Sequence, residues 1–169
     1  MGFLRQHDAS HRFQMRQKLL SIGDDFWIED EDGDKVYKVN GKAMRIRDTF
    51  VLEDRDGNEV AKIQEKKLAI RDKMKVERGD RTLATIHKAM IGIRDRFDID
   101  VEDGEDLKAR GNITDHEYEI KRDGDVIAKV SKRWFRVRDS YGIEVEPGED
   151  DALILALTVA IDNMSRVRD

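Results

Sequence analysis

The chain has no cysteine among its 169 residues. Disulfides, thiol nucleophiles and thiolate metal sites are therefore excluded together. Proline is nearly absent too: Pro147 is the only one, so few strands need lie at a sheet edge. Long hydrophobic runs are missing. The longest, Ala152–Ile161, is about half of the roughly 20 residues that a membrane-spanning helix requires. The opening MGFLRQHDASHRF has no continuous apolar segment, so no secretory signal is expected. Met1-Gly2 begins like a myristoylation site, but Gln6 stands where that motif needs Ser or Thr. A soluble cytoplasmic protein without a transmembrane segment is the expectation.

No long basic run exists either. The 37 acidic and 32 basic residues are mixed along every segment and leave a net charge of −5. Nucleic acid is not an expected partner of such a chain. No serine sits in Gly-x-Ser-x-Gly, and no Gly-rich phosphate loop precedes a helix. The four histidines are scattered. His7 and His11 have the i,i+4 spacing of a helical metal pair, but no third ligand lies near them in the sequence. A non-enzymatic role with no cofactor and no metal is expected.

What the chain does have is a repeated sentence. Residues 26–48 read FWIEDEDGDKVYKVNGKAMRIRD and residues 50–72 read FVLEDRDGNEVAKIQEKKLAIRD. Residues 73–95 read KMKVERGDRTLATIHKAMIGIRD, and residues 117–139 read EYEIKRDGDVIAKVSKRWFRVRD. Each copy runs through an alternating strand, a Gly-bearing turn, a second strand, a basic stretch and a closing Arg-Asp. A period of about 23 residues with turn glycines at mid-copy indicates stacked or cyclically arranged β-hairpins. Asp32-Gly33, Asp56-Gly57, Asp103-Gly104 and Asp123-Gly124 are the hairpin turns, and Gly79-Asp80 fills the same role a residue early. A first strand is expected from Phe13 to Ile22, although Gln17–Leu20 also suits a helix start. Met44 and Ile46, Leu68 and Ile70, and Ile91 and Ile93 suggest a further strand after each hairpin. Residues 97–116 are the most diverged copy, interrupted by Gly111-Asn112. Two to three strands per copy give ten to twelve in all.

The end of the chain changes character. Glu149-Asp150-Asp151 precede an Ala/Leu-rich run, as at a helix N-terminus, where side-chain oxygens cap free N–H groups and oppose the dipole. A helix apolar on every face must be surrounded on every side. Amphipathic strands and such a helix complete each other as a barrel closed around it. Burial of about six large aliphatic side chains, at roughly 1.5–3 kcal/mol each, makes the helix decisive for stability. It also fills the space where a hollow barrel would hold a small molecule.

The opening FQMRQKLLSIGDDFWIEDEDG, the strand pair VYKVNGKAMRIRDTFVLEDRDG and the closing ILALTVAIDNM resemble the LURP-one-related family, over about residues 11–165. That family belongs to the tubby C-terminal-like superfamily with the phospholipid scramblases. The resemblance implies a mainly β fold: a tubby-like closed β-barrel of about 12 strands around a central hydrophobic C-terminal helix. The expected division is an arm at 1–12, a domain at 13–165 with its core helix at 151–164, and a tail at 166–169. Tubby-type domains bind phosphoinositides at membranes, scramblases are linked to lipid translocation and calcium, and plant LURP-one-related members are associated with defence. The cysteine-rich segment and membrane anchor of a scramblase are not seen here, so translocation is not expected.

The candidate surface is the set of bases at the copy ends. Arg45, Arg47, Lys67, Arg71, Arg94, Arg136 and Arg138 recur at corresponding places, with Lys66, Lys132 and Arg133 beside them. If those ends meet at one rim, they form a cationic cluster for anionic phospholipid headgroups, since the planar Arg fork donates two parallel hydrogen bonds to phosphate. The competing reading pairs each base with an acid such as Asp48, Asp72, Asp95 or Asp139, and leaves a protein–protein adaptor. Asp30–Asp34 looks like a fragment of a calcium loop, but Ile28 occupies a ligand place and an Asp-Gly turn explains it better. Trp27, Trp134 and Phe135 are either interfacial anchors or residues that fill the barrel wall or cap its end; Trp134-Phe135 put aromatic side chains on both faces of one strand, so one of them is expected outside the barrel. A monomer is expected.

Overall fold

Period-2 alternation puts the apolar residues of each strand on one face, and closing the sheet turns that face inward. The computed structural model describes residues 10–16, 25–40, 49–68, 71–89, 96–134 and 140–166. The strands are β1 (His11–Arg16), β2 (Phe26–Asp30), β3 (Lys35–Asn40), β4 (Thr49–Asp54), β5 (Glu59–Leu68) and β6 (Arg71–Arg78). They continue as β7 (Arg81–Ala89), β8 (Arg96–Val101), β9 (Leu107–Asn112), β10 (Glu117–Arg122), β11 (Asp125–Ser131) and β12 (Ser140–Val145), and α1 (Asp151–Arg166) follows. Every strand pairs antiparallel with its sequence neighbours, and β1 pairs with β12, so the 12 strands form a closed up-and-down barrel.

Each of the four repeats supplies one hairpin, β2–β3, β4–β5, β6–β7 and β10–β11. The diverged copy supplies the fifth, β8–β9. A register shift recurs at the same place in the four repeats, at Ile28/Glu29, Leu52/Glu53, Val76/Glu77 and Ile120/Lys121. An extra residue there sharpens the local twist next to the turn. Gly79 stands one place early because its turn is of the type that needs positive φ only at the first central residue, and Gly79 has φ 59°. In the β10–β11 turn both Asp123 (48°) and Gly124 (85°) are positive.

Three expectations change. β1 begins at His11, because His11 and Arg12 pair with Val145 and Glu144 of β12. Gly111-Asn112 does not interrupt its copy: β9 runs through both, and Gly111 lets the chain pass β10 closely, where an added Cβ would meet the Glu117 carbonyl oxygen at 2.6 Å. Trp134 lies in a short 3-10 turn, Lys132–Trp134, rather than on a strand. Phe135, the segment 17–24, Met44, Ile46, Ile70, Ile91 and Ile93 lie outside the described residues, whereas Leu68 continues β5.

The barrel axis is filled by α1. Ile154 through Asp162 are all buried, on every face of the helix. They meet an inward layer of Ile28, Leu52, Ile63, Val76, Ile86, Ile99, Ile120 and Ile143 from eight different strands, each 0% exposed. Asp150 caps the helix: its Oδ1 accepts the Leu153 N–H at 3.1 Å. No helix of the described residues is long and apolar enough to cross a membrane.

Candidate functional site

An up-and-down barrel sends its connections alternately to two ends, and the two ends here differ in chemistry. At the first end lie the Asp-Gly turns and the N-terminus of α1. Asp30 Oδ1 accepts the N–H groups of Asp32 (3.0 Å) and Asp34 (2.9 Å). Asp54 Oδ1 does the same for Asp56 and Asn58, both at 2.9 Å. The Asn58 N–H bond first, with the bonds from the Asn58 side chain, Asp56 and Gly57, outweighs desolvation and holds the Asp54 carboxyl below its ordinary value. The acid at the head of these two turns is thus a turn brace, which accounts for the Asp30–Asp34 segment without an ion. A cleft of about 610 Å³ opens beside these turns, lined by Phe13, Val36, Tyr37, Asp30, Asp54 and Asp151 among others. Burial, then the charges of Asp151, Asp150 and Asp54, push the Tyr37 phenol up.

The second end receives the connections after β1, β3, β5, β7, β9 and β11, together with the C-terminus of α1. The sequence candidates belong to this half of the connections. Arg45, Arg47, Arg94, Arg136 and Arg138 lie outside the described residues. Lys67 and Arg71 are strand positions at the close of the β5–β6 hairpin, where Lys67 pairs with Asp72 and Leu68 with Arg71. Of the bases beside them, Lys66 is a β5 position opposite Lys73, Lys132 and Arg133 follow β11, and Arg133 is exposed. The Lys132 N–H and the Ser131 hydroxyl both donate to Glu117 Oε1, at 3.1 and 2.9 Å.

Beneath this end is a polar cluster that the sequence reading missed. His116, in the β9–β10 turn, donates from Nε2 to Asp162 Oδ1 at 2.8 Å, and both side chains are about 95% buried. Its ring stacks on Tyr141 with centroids 4.2 Å apart. Tyr118 bonds Thr158 nearby, and burial followed by the Asp162 charge drives its phenol far up. The pair ties the turn to the last helical turns, and its partners are 46 residues apart, with no local pattern to announce it.

Several outer-wall bases are engaged by acids. Arg12 pairs Glu144 (2.7 Å), Lys38 pairs Asp25 (3.3 Å), and Arg122 holds Glu149 through two bonds of 2.6 and 2.9 Å. Both described tryptophans lie outside the core, half-buried beneath cations. The Arg12 guanidinium sits 5.4 Å from the Trp134 ring centre, and the Lys35 ammonium 5.7 Å from that of Trp27.

A sequence model of the LURP-one-related family matches residues 11–162, from the first residue of β1 into the last turns of α1. The chain belongs to the LURP-one-related family. Its barrel is similar to the X-ray structure of a protein from Arabidopsis thaliana, with a TM-score of 0.69 and 20% identity, over 95% of this chain and 96% of the other. That likeness is one of fold. No curated protein sequence gives a significant match. For this LURP-one-related barrel, the residue order that carried the resemblance is thus the order of the hairpins around the wall. Two bases that the sequence reading passed over, Lys108 and Arg110, lie exposed on β9. They fall in the diverged copy, which lacks the Arg-Asp ending; their signal was a pair of cations at i and i+2 on a strand whose other face is apolar.

Proposed function

We propose that this LURP-one-related barrel is a non-enzymatic binding module that recognises anionic phospholipid headgroups through a basic rim, acting as a peripheral protein at a cytoplasmic membrane surface. The rim consists of Arg45, Arg47, Lys67, Arg71, Arg94, Arg136 and Arg138. The observation that carries the reading is topological. These residues lie in, or beside, four connections that an up-and-down barrel directs to a single end. The described strands that lead into those segments finish at that one end, which supports a shared rim. Guanidinium groups suit that task because they bind phosphate oxygens in pairs. The filled axis supports a surface function over an internal ligand.

Co-sedimentation with vesicles tests this. Capture is expected by phosphatidylcholine vesicles containing phosphatidylserine or a phosphoinositide, and not by phosphatidylcholine alone. It should fall steeply between low and physiological salt. Arg45→Glu/Arg71→Glu should abolish it, and unchanged capture by that variant would remove the assignment to the rim. A second reading, a protein–protein adaptor, is favoured by the mixed-charge outer wall, where bases such as Arg12 and Lys38 already have acidic partners. It predicts no capture under either salt condition, together with a specific partner in pull-downs.

A further inference from the structure

From β1 through β12, β11 and β10 to β9 opposite charges face each other across the outer wall, and on β9 that alternation breaks. Following the strand register, Arg12 stands opposite Glu144, Glu144 opposite Lys129, Lys129 opposite Glu119, and Glu119 opposite Arg110. The next position repeats the sign: Arg110 stands opposite Arg96 of β8. In the adjoining row Lys108 stands opposite Lys121 of β10. Directly opposed residues have Cβ atoms about 4.5–5.5 Å apart, and like charges at that separation repel. Two such pairs therefore meet on β9. Asp98 and Glu119 occupy the remaining outward places and are drawn to their own strands, Asp98 to Arg96 and Glu119 to Lys121, each at 3.5 Å. Lys108 and Arg110, both exposed, have no ion-pair or hydrogen-bond partner among the described residues. They line a groove of about 660 Å³ together with Lys121, the β8–β9 turn at Gly104–Asp106 and the β10–β11 turn at Asp123-Gly124.

We propose that this groove is a binding site for a phosphate group, with Lys108 and Arg110 as its direct contacts and Lys121 and Arg96 supplying the surrounding field. The repulsion within the two like-charge pairs is relieved when a phosphate sits between them. Arg110 presents a planar fork and Lys108 a point charge to the same anion. The other mouth of the groove carries Glu105, Asp106 and Asp123, and Asp106 Oδ1 accepts the Val101 N–H at 3.2 Å. These carboxylates give the groove polarity: the phosphate lies toward Lys108 and Arg110, and hydroxyl or amine substituents of the same molecule lie toward the turns. The volume suits one small headgroup or phosphorylated metabolite. This site lies on the barrel wall and does not rest on the rim reading.

The test uses the full chain and two probes. Inorganic pyrophosphate is titrated into isotope-labelled protein at low salt while backbone amides are followed, and vesicles of phosphatidylcholine with phosphatidylinositol 4-phosphate are used for co-sedimentation. Pyrophosphate is expected to shift amides of β8, β9 and β10. Lys108→Ala/Arg110→Ala should weaken it by about tenfold or more, whereas Arg45→Glu/Arg71→Glu should leave it unchanged. Vesicle capture that depends on Lys108 and Arg110 identifies a lipid headgroup as the source of the phosphate. Pyrophosphate binding without such capture identifies a soluble phosphorylated molecule. Lys108→Gln separates binding from folding: it should weaken the pyrophosphate response while the melting temperature holds or rises, because the repulsion with Lys121 is removed and no acid is set opposite Asp98. Amide shifts absent from β8–β10, shifts indifferent to Lys108 and Arg110, or a Lys108→Gln protein that loses binding only by melting early would each overturn the proposal.

Discussion

Single side chains here act mostly by closing backbone ends. Asp150 shows how. Its carboxylate caps α1 and is gripped by Arg78, with Nη1 donating to Oδ2 at 3.0 Å and Nη2 to Oδ1 at 3.3 Å. Partial burial raises its pKa, but the bonds from Arg78 and from the helix N–H groups outweigh that and leave it below the ordinary value. A folded-state pKa below the unfolded one means that the ionised carboxylate stabilises the fold above the unfolded value, about 3.9. That contribution is lost as pH falls through the depressed folded pKa. Asp150→Ala should therefore cost about 1 kcal/mol at pH 7, and much of that penalty should vanish by about pH 2, as urea titrations at both pH values would measure. A penalty independent of pH would mean that charge plays no role in the cap. The cap itself was legible, since acids before an Ala/Leu run announce a helix start. Arg78 was not, because it arrives from a turn 72 residues away.

Among the elements, α1 matters most. Leu155 and Leu157 are 0% exposed, inside a ring of strand side chains. Leu155→Ala should cost about 2–5 kcal/mol, from lost transfer energy and the cavity left behind. Leu157→Asp should abolish cooperative folding, because a buried, unpaired carboxylate finds no compensation in that core. Circular dichroism melts check both, and a soluble Leu157→Asp protein with a sharp transition would show the helix to be peripheral. The helix and the hairpins were both readable before any coordinates, because their hydrophobic periods differ and Gly marks the turns. Strand ends were less so. His11 and Arg12 look like members of a polar arm, and it takes the distant β12 to draw them into the sheet.

For the whole molecule, closure is the decisive step. Among the described residues β1 forms six register pairs with β12 and two with β2, so it is the stave that shuts the barrel. Removal of residues 1–16 should leave β12 with an open edge and expose α1. The expected result is aggregation or loss of a cooperative thermal transition, seen by light scattering and calorimetry. A monomeric truncated protein that melts like the intact chain would show that β1 is dispensable. Closure also sorts the connections into two ends. The described Asp-Gly turns lie at one end, and the strands that lead into the copy endings finish at the other.

The sequence alone determined the repeat, the turns, the apolar helix and the need for each to bury the other. Those are local matters of period and turn chemistry, repeated often enough to be unmistakable. Tertiary structure alone decided which distant groups meet. It brought His116 to Asp162, Arg78 to Asp150, and Lys108 to face Lys121. Such contacts depend on strand register and on the order of staves around the barrel, and a one-residue shift of register would exchange the inner and outer faces. Charge spacing along a strand is visible in a sequence; charge spacing across strands is set only when the sheet closes.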